Sequence, residues 1–212
     1  MGRTSDADQR LMDAALALMW EESYGSVTID DICTRADVKK GSFYYFYKSK
    51  AELAVAAIER LWKSEWKPML DACFSPSTEP LERLRNYFDT IHAKQVEAKA
   101  KYGRVLGCAI FTVGSEVSTQ EVDVCATIRD ILSRKQLYYQ TAIRDAVAAG
   151  VMEPCDPIQQ SLALFALLEG LISQARIMND PDVLRQLPAM ALGMLRVKPA
   201  VATPVAEAAV HA

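Results

Sequence analysis

Apolar residues recur along most of the chain at the three- and four-residue spacing of an α-helix. Runs in which Val, Ile and Thr alternate with polar residues, which would indicate strands, are almost absent. The predicted helices span about Asp6–Glu22, Thr28–Ala36, Lys40–Tyr47, Ser49–Trp66, Leu81–Lys99, Cys108–Glu116, Glu121–Ala149, Pro157–Met178 and Asp182–Arg196. The chain is therefore predicted to be all-α.

Capping signals mark the short helices near the N-terminus. Thr28 is followed three residues later by Asp31, and Ser49 by Glu52, which is the spacing of a capping box. Asp37 lies in the turn before the third helix, where Gly would be easier, but Asp tolerates the left-handed backbone better than most residues. Two short helices joined by such a turn form a helix-turn-helix pattern, whose second helix enters the major groove of DNA.

Positive charge is concentrated around the third helix. A net charge of −3 excludes a nucleic-acid binder that is basic all over, but it permits a local basic patch. From Arg35 to Lys50 there are five basic residues and one acid, Asp37, and residues 43–47 within this segment are all aromatic. The segment is therefore the candidate DNA-binding surface.

The candidate DNA contacts share positions at or near helix starts. Residues that open the third helix would meet base edges or phosphates, and two tyrosines that follow them can face outward. Two residues at neighbouring helix starts lie where backbone N–H groups attract phosphate. The candidates are Thr28, Lys39, Lys40, Gly41, Ser42, Tyr44, Tyr45 and Lys50. The simpler alternative, a solvated face over a small aromatic core, leaves the agreement of caps, turn and charge unexplained.

The stretch TIDDICTRADVKKGSFYYFYKSKAEL, Thr28 to Leu53, resembles the DNA-binding segment of the TetR family of transcriptional regulators. The positions that match the family pattern are Lys40, Gly41, Tyr44, Ser49, Lys50 and Leu53. The family often has Ser where Lys39 stands and Gly where Asp37 stands. The strong resemblance covers Leu11 to about Ile58, and GCAIFTVGSE resembles a Gly-Cys helix start of one branch of the family.

The resemblance implies a homodimer whose subunits have two parts. Residues 1–50 would form a helix-turn-helix DNA-binding domain, and residues 51–197 a ligand-binding and dimerisation domain. Residues 198–212 are expected to be a disordered tail. The heads would bind a palindromic double-stranded operator, from which a small hydrophobic effector would release them. Dimerisation is expected to use Glu121–Ala149 and Pro157–Met178 in a four-helix bundle.

Aromatic and charged residues of the later helices are the candidate effector contacts. They are Trp62, Trp66, Phe88, Cys108, Phe111, Tyr138, Phe165 and Glu169. The pocket is predicted between the Ser49–Trp66 helix and the helices that carry the other aromatic rings. A buried Glu169 would need a partner, for which Tyr138, Arg176 and a ligand are the candidates. The alternative interpretation of the aromatic residues is core packing.

Cys108 offers a second possible trigger. It stands at a helix start four residues after Arg104, where a stabilised thiolate could sense electrophiles or oxidants. The simpler interpretation is a small buried residue. The five cysteines are odd in number and lack CxxC spacing, so neither a zinc site nor a disulfide framework is predicted.

The remaining classes of function have little support in the sequence. The two histidines are isolated, and no catalytic triad, paired carboxylates or phosphate-binding glycine loop appears, so no enzyme, cofactor or metal site is predicted. The N-terminus lacks an apolar signal region, and Glu169 interrupts the most apolar run, which predicts a cytoplasmic protein without a membrane span. A helical carrier or enzyme without a DNA role is the remaining alternative, and it would leave the basic segment unexplained.

Overall fold

The computed structural model of the chain describes residues 2–117 and 120–198. The α-helices within these residues are α1 (Gly2–Glu21), α2 (Ile29–Ala36), α3 (Lys40–Phe46), α4 (Lys50–Leu61), α5 (Lys67–Cys73), α6 (Pro80–Tyr102), α7 (Ala109–Val117), α8 (Val122–Ala148), α9 (Pro157–Met178) and α10 (Leu187–Met194). The described residues contain no strand, only one isolated bridge between Met152 and Val197. The all-α prediction is confirmed. Of the predicted tail, residues 199–212 lie outside the described residues.

The first three helices pack around a small shared core that contains Leu11, Ile32 and Phe43, none of which is exposed. The predicted capping box at the start of α2 is present. The Thr28 hydroxyl accepts from the Asp31 N–H at 3.2 Å, and the Asp31 carboxylate accepts from the Thr28 N–H at 2.9 Å. These reciprocal bonds fix where α2 begins, and with it the approach to the helix-turn-helix turn.

The second predicted capping box, at the start of α4, is only half formed, because one of its two hydrogen bonds goes to the preceding residue. The Ser49 hydroxyl accepts from the Glu52 N–H at 3.1 Å, as predicted. The Glu52 carboxylate, however, accepts from the N–H of Lys48 at 2.7 Å, which makes the reciprocal half of the prediction wrong. The Glu52 side chain reaches past the cap residue, because Lys48 also presents an N–H at this corner.

The turn between α2 and α3 depends on Asp37, which has φ 51° and ψ 50°. This left-handed conformation confirms the expectation for the turn. The guanidinium of Arg10 in α1 donates to the carbonyl oxygens of Ala36 and Asp37, at 2.9 and 3.1 Å. The bonds fix the angle between α2 and α3 because they satisfy carbonyls that the end of α2 leaves free.

The predicted helix Ser49–Trp66 differs from the structure at its C-terminal end. Regular α-helix ends at Leu61, and a π-helical turn spans Trp62–Trp66, where the Lys67 N–H donates to the carbonyl of Trp62. The chain then continues into α5, so the prediction that Pro68 ends the helix was wrong. Proline lacks an N–H and collides with the carbonyl four residues earlier in a regular α-helix, and the wider π turn relieves this conflict.

The larger domain is built on α8 and α9, with α4 and α6 packed against α8. Tyr87, Tyr139 and Leu164 are fully buried between these helices. The last predicted helix, Asp182–Arg196, is divided into a 3₁₀ turn at Pro181–Gln186 and α10.

The apolar helix α9 leaves much of its surface uncovered. By length and composition it is the one helix of the described residues that could span a membrane, and 39% of its apolar window is buried inside the subunit. Its inner face packs on α8 and buries Ser161 and Glu169. That buried polar face is typical of a core helix, and the outer face is exposed.

We expect Asp37→Val to lower the free energy of unfolding by about 1–2 kcal/mol, because a β-branched residue is strained in the left-handed region. Asp37→Gly is the matched control and should not be less stable than wild type, since glycine adopts this conformation freely. Urea denaturation measures both. Equal stability of the two variants would show that the turn does not depend on its backbone conformation.

Candidate DNA interface and effector cavity

Helix α3 presents a tyrosine- and lysine-rich face to solvent. Tyr44 is 54% exposed and Tyr45 75%, whereas Phe43 points into the core of the head. Lys39, Lys40 and Gly41 are also exposed, and no atom lies within 4 Å of where a Cβ of Gly41 would stand. The predicted contacts from Lys39 to Tyr45 therefore share one accessible helix, as a major-groove reader requires.

Lys40 is paired with an acid in the DNA-free protein. Its Nζ lies 2.7 Å from the Asp30 carboxylate on α2, and both side chains are exposed. The hydrogen bond with Asp30 raises the pKa of Lys40. In a DNA complex, the Asp30 carboxylate would compete with phosphate for this ammonium group.

Lys50 has a structural role that sequence reasoning missed. Its ammonium group donates to the carbonyls of Tyr24 and Val27 at 2.7 and 2.8 Å, and it lies 4.3 Å from the centre of the Tyr24 ring. Burial lowers the pKa of Lys50, and the carboxylates of Glu121 and Glu116 oppose that shift. The side chain ties α4 to the α1–α2 turn. A phosphate contact by Lys50 stays a prediction, and so does one by Thr28, whose hydroxyl is engaged in its cap.

Glu116 of α7 holds the same turn from the other side. Its carboxylate accepts from the backbone N–H groups of Tyr24 and Gly25, at 2.9 and 2.6 Å. A Cβ on Gly25 would lie 2.7 Å from a Glu116 oxygen, so the glycine permits this close approach. The Tyr24 hydroxyl also donates to Glu121 at 3.0 Å. Residues Tyr24–Val27, called the head turn below, are thus bound by the larger domain.

A cavity of about 140 Å³ lies below the head, between α1, the π turn, α6, α8 and the start of α7. Its lining residues are Leu16, Trp20, Leu61, Glu65, Trp66, Met69, Leu70, Tyr87, Ile91, Lys94, Gln95, Gly107, Cys108, Ala109, Lys135 and Ile172. Two predicted effector contacts, Trp66 and Cys108, are among them. The structure therefore supports a cavity beside the π turn with a different lining from the predicted one.

The other predicted effector contacts are not among the residues that line this cavity. Trp62 and Tyr138 line a more open groove of about 780 Å³. Phe88 is buried in the core, and Phe111 and Phe165 pack edge-to-face with ring centres 6.2 Å apart. Helical spacing identified apolar faces but not which of them border a cavity.

The partner of Glu169 is Lys135 of α8. The Lys135 ammonium lies 3.0 Å from Glu169 Oε1, and both side chains are buried. The expected partners are engaged elsewhere: Tyr138 donates to Asp71 at 2.5 Å, and Arg176 to the Thr112 hydroxyl at 3.0 Å. The missed signal was the position of Lys135 on the apolar face of α8, at helical spacing between buried residues.

Aromatic rings surround this ion pair. The Lys135 ammonium lies 5.6 Å from the ring centre of Trp66, 5.8 Å from that of Tyr87 and 5.3 Å from that of Phe165. Burial lowers the pKa of Lys135, but the nearby Glu169 carboxylate raises it by more, so the net pKa is well above its usual range. A charged lysine thus forms part of the cavity wall.

Cys108 is a neutral thiol in this environment. Burial first, and then the Glu169 carboxylate, raise the pKa of Cys108 to about 12. The hypothesis of a stabilised thiolate required a lowered pKa. Arg104, the cation expected to lower it, is exposed. The helix start of α7 is outweighed because the thiol is buried and also faces the Glu169 carboxylate.

Two family profiles match the chain. The profile described as bacterial regulatory proteins, tetR family, matches residues 11–57, and the one described as tetracyclin repressor-like, C-terminal domain, matches residues 80–190. The first match contains the helix-turn-helix, and the second contains α6 to α9.

Individual relatives agree with these profiles. The transcriptional regulator AcuR of Cereibacter sphaeroides is 33% identical over 180 residues, which cover 84% of this chain and 80% of AcuR. The crystal structure of regulatory protein TetR from Rhodobacter sphaeroides is 31% identical with a TM-score of 0.77, and the match covers 87% of this chain and 96% of that one. The crystal structure of reduced NemR from Escherichia coli is 21% identical, with a TM-score of 0.79. The match covers 92% of this chain and 100% of that one, and it shows a shared fold.

We expect Lys50→Ala to lower the free energy of unfolding by about 1–2 kcal/mol, because two carbonyls of the head turn lose their donor. Lys48→Ala removes an exposed lysine of the same segment and should change stability little. Urea denaturation of both variants checks this. An unchanged stability of Lys50→Ala, together with weaker binding to every DNA sequence, would contradict the structural role and favour a phosphate contact.

Proposed function

Because the chain belongs to the TetR family of bacterial transcriptional regulators, we propose that it is a homodimeric repressor released from a palindromic operator by a small hydrophobic effector. Its relatives are transcriptional regulators, not enzymes, and a cytoplasmic location is part of the proposal. One observation carries it: the helices that line the cavity also hold the head turn, next to the exposed helix α3. A carrier without a DNA role would need no such connection.

The first connection runs through α4. The helix begins at Lys50, which binds the head turn, and its last residue, Leu61, lines the cavity. Trp66 lines the same cavity one π turn later. An effector that pushes on Leu61 or Trp66 would tilt α4 and move Lys50 relative to the head.

The second connection runs through α7. Cys108 and Ala109 at its start form part of the cavity wall, and Glu116 near its end binds the N–H groups of Tyr24 and Gly25. A helix is stiff over this distance, so displacement of its start by an effector would also move Glu116. The two connections would then loosen the head turn together.

The energy needed for release is modest. An effector that weakens operator binding tenfold must prefer the released conformation by about 1.4 kcal/mol. Burying roughly 60 Å² more apolar surface in that conformation would provide this. A small effector in contact with the apolar cavity wall can supply such a difference.

The outer face of α9 supports dimerisation. Small residues Ala163, Ala166 and Gly170 are exposed along it, and Ile177 at its end is 84% exposed. Leu137 of α8 is also exposed. A two-fold arrangement of α8 and α9 would cover this apolar surface, and the small residues would allow close helix packing.

The alternative trigger, covalent modification of Cys108, has less support because the thiol is held neutral. We expect iodoacetamide to label Cys108 at pH 7.5 at least about a hundredfold more slowly than a free cysteine peptide. The rate should rise about tenfold per pH unit up to pH 10, since a pKa of about 12 keeps the thiolate fraction small throughout. Site-resolved mass spectrometry measures these rates. Fast labelling with a plateau near neutral pH would contradict the neutral thiol. It would support the alternative that Cys108 is a sensor of electrophiles or oxidants.

We expect Gly170→Arg to produce a folded monomer that no longer selects two-fold symmetric sites from a random pool of DNA duplexes. The new side chain has room within the subunit, because nothing lies within 4 Å of a Cβ at this position. Light scattering at micromolar concentration and sequencing of the recovered duplexes provide the measurements.

Asn86→Arg is the matched control, since it adds the same charge to an exposed position of α6. It should remain dimeric and select the same sites as wild type. A monomeric wild type, or a wild type that enriches no symmetric sequence, would contradict the proposed function.

A further inference from the structure

We propose that the cavity selects small neutral carbonyl compounds, and that Glu169 sets this selection by cancelling the charge of Lys135. This inference rests on the proposed function, because the effector would occupy the same cavity. It goes further by naming the chemical class of the effector and the residue that determines it.

Lys135 is the buried cationic donor of the cavity wall, whereas the other charged lining residues, Lys94 and Glu65, are exposed. Its ammonium group donates to Glu169 Oε1 at 3.0 Å and also interacts with the Tyr87 hydroxyl, so one N–H group remains for a ligand. Another buried polar lining residue, Gln95, already bonds the N–H and the carbonyl of Gly107, at 3.0 and 3.2 Å. A ligand that reaches Lys135 should therefore carry an acceptor oxygen.

The charges around Lys135 disfavour an anion. Glu169 already balances the ammonium, so a bound carboxylate would add an uncompensated negative charge to a buried site. Glu169 Oε2 is buried without a hydrogen-bond partner and would repel it. The rings of Trp66, Tyr87 and Phe165 place their electron-rich faces around the same ammonium. A neutral carbonyl oxygen can accept from Lys135 without this cost.

The size and lining of the cavity restrict the rest of the ligand. A dry apolar cavity of about 150 Å³ holds benzene, so the volume of about 140 Å³ suits a molecule of about six non-hydrogen atoms. Apart from the polar groups, side chains such as Leu16, Met69 and Ile172 form the wall. The ligand should thus join one carbonyl group to a compact hydrocarbon part.

The test compares two probes of the same shape, 3-methylbutan-2-one, which is neutral, and isobutyrate, which is an anion. We expect the full-length wild type to bind the ketone at least about tenfold more tightly in calorimetric titrations. Glu169→Gln leaves the charge of Lys135 uncompensated, and it should bind isobutyrate more tightly than the ketone. A wild type that prefers isobutyrate or binds neither probe overturns the proposal, as does a Glu169→Gln protein with unchanged preference.

A second variant protects the test against misfolding of Glu169→Gln. Lys135→Met combined with Glu169→Leu replaces the ion pair by apolar side chains, which proteins often tolerate. It should bind 2,3-dimethylbut-1-ene, the hydrocarbon of the same shape, at least as tightly as the ketone, whereas wild type should favour the ketone. An unchanged preference for the ketone would show that Lys135 does not supply the donor.

Binding of the probes is measured without DNA, so its outcome is independent of the regulatory role. Duplex selection by the wild type is followed separately. Failure there with an intact ketone preference would overturn the proposed function and leave the ligand selection standing.

Discussion

The head turn, Tyr24–Val27, is the point on which the arrangement of the whole subunit depends. A cation from α4 binds its carbonyls, and an anion from α7 binds its N–H groups. Both charged groups come from helices that reach the cavity. The backbone of this turn leads directly into the cap of α2, so two side chains that lie outside the helix-turn-helix contribute to its orientation.

The cavity and the head turn use buried charge in different ways. At the head turn, Lys50 and Glu116 bind backbone groups, so small movements of α4 or α7 change hydrogen bonds that carry charge and are worth more than neutral ones. Lys135 of the cavity wall binds the buried Glu169, and the cost of burying either charge alone would make the pair sensitive to the charge of a ligand. In the proposed function, recognition of a ligand at one end of α7 and its transmission at the other would both be electrostatic.

Local signals allowed much of the head to be predicted from the sequence. Thr28 and Asp31 marked the start of α2, Asp37 marked a left-handed turn, and the lysines and tyrosines of α3 marked its exposed face. Each of these inferences depends on residues within a few positions of one another. The Lys135–Glu169 pair and the bonds of Glu116 join residues far apart in sequence, and helical periodicity does not give the register between helices. The π turn also escaped prediction, because a proline after a long helix usually indicates its end.

The most direct test of this account is amide hydrogen exchange at Tyr24 and Gly25, measured together with operator affinity in a Glu116→Ala variant. Ser115→Ala, an exposed neighbour on α7, serves as the control. If the larger domain holds the DNA-binding head through Glu116, both amides should exchange at least about tenfold faster in Glu116→Ala, and operator affinity should fall. Faster exchange with unchanged operator affinity would contradict the claim that the head turn connects the cavity to DNA.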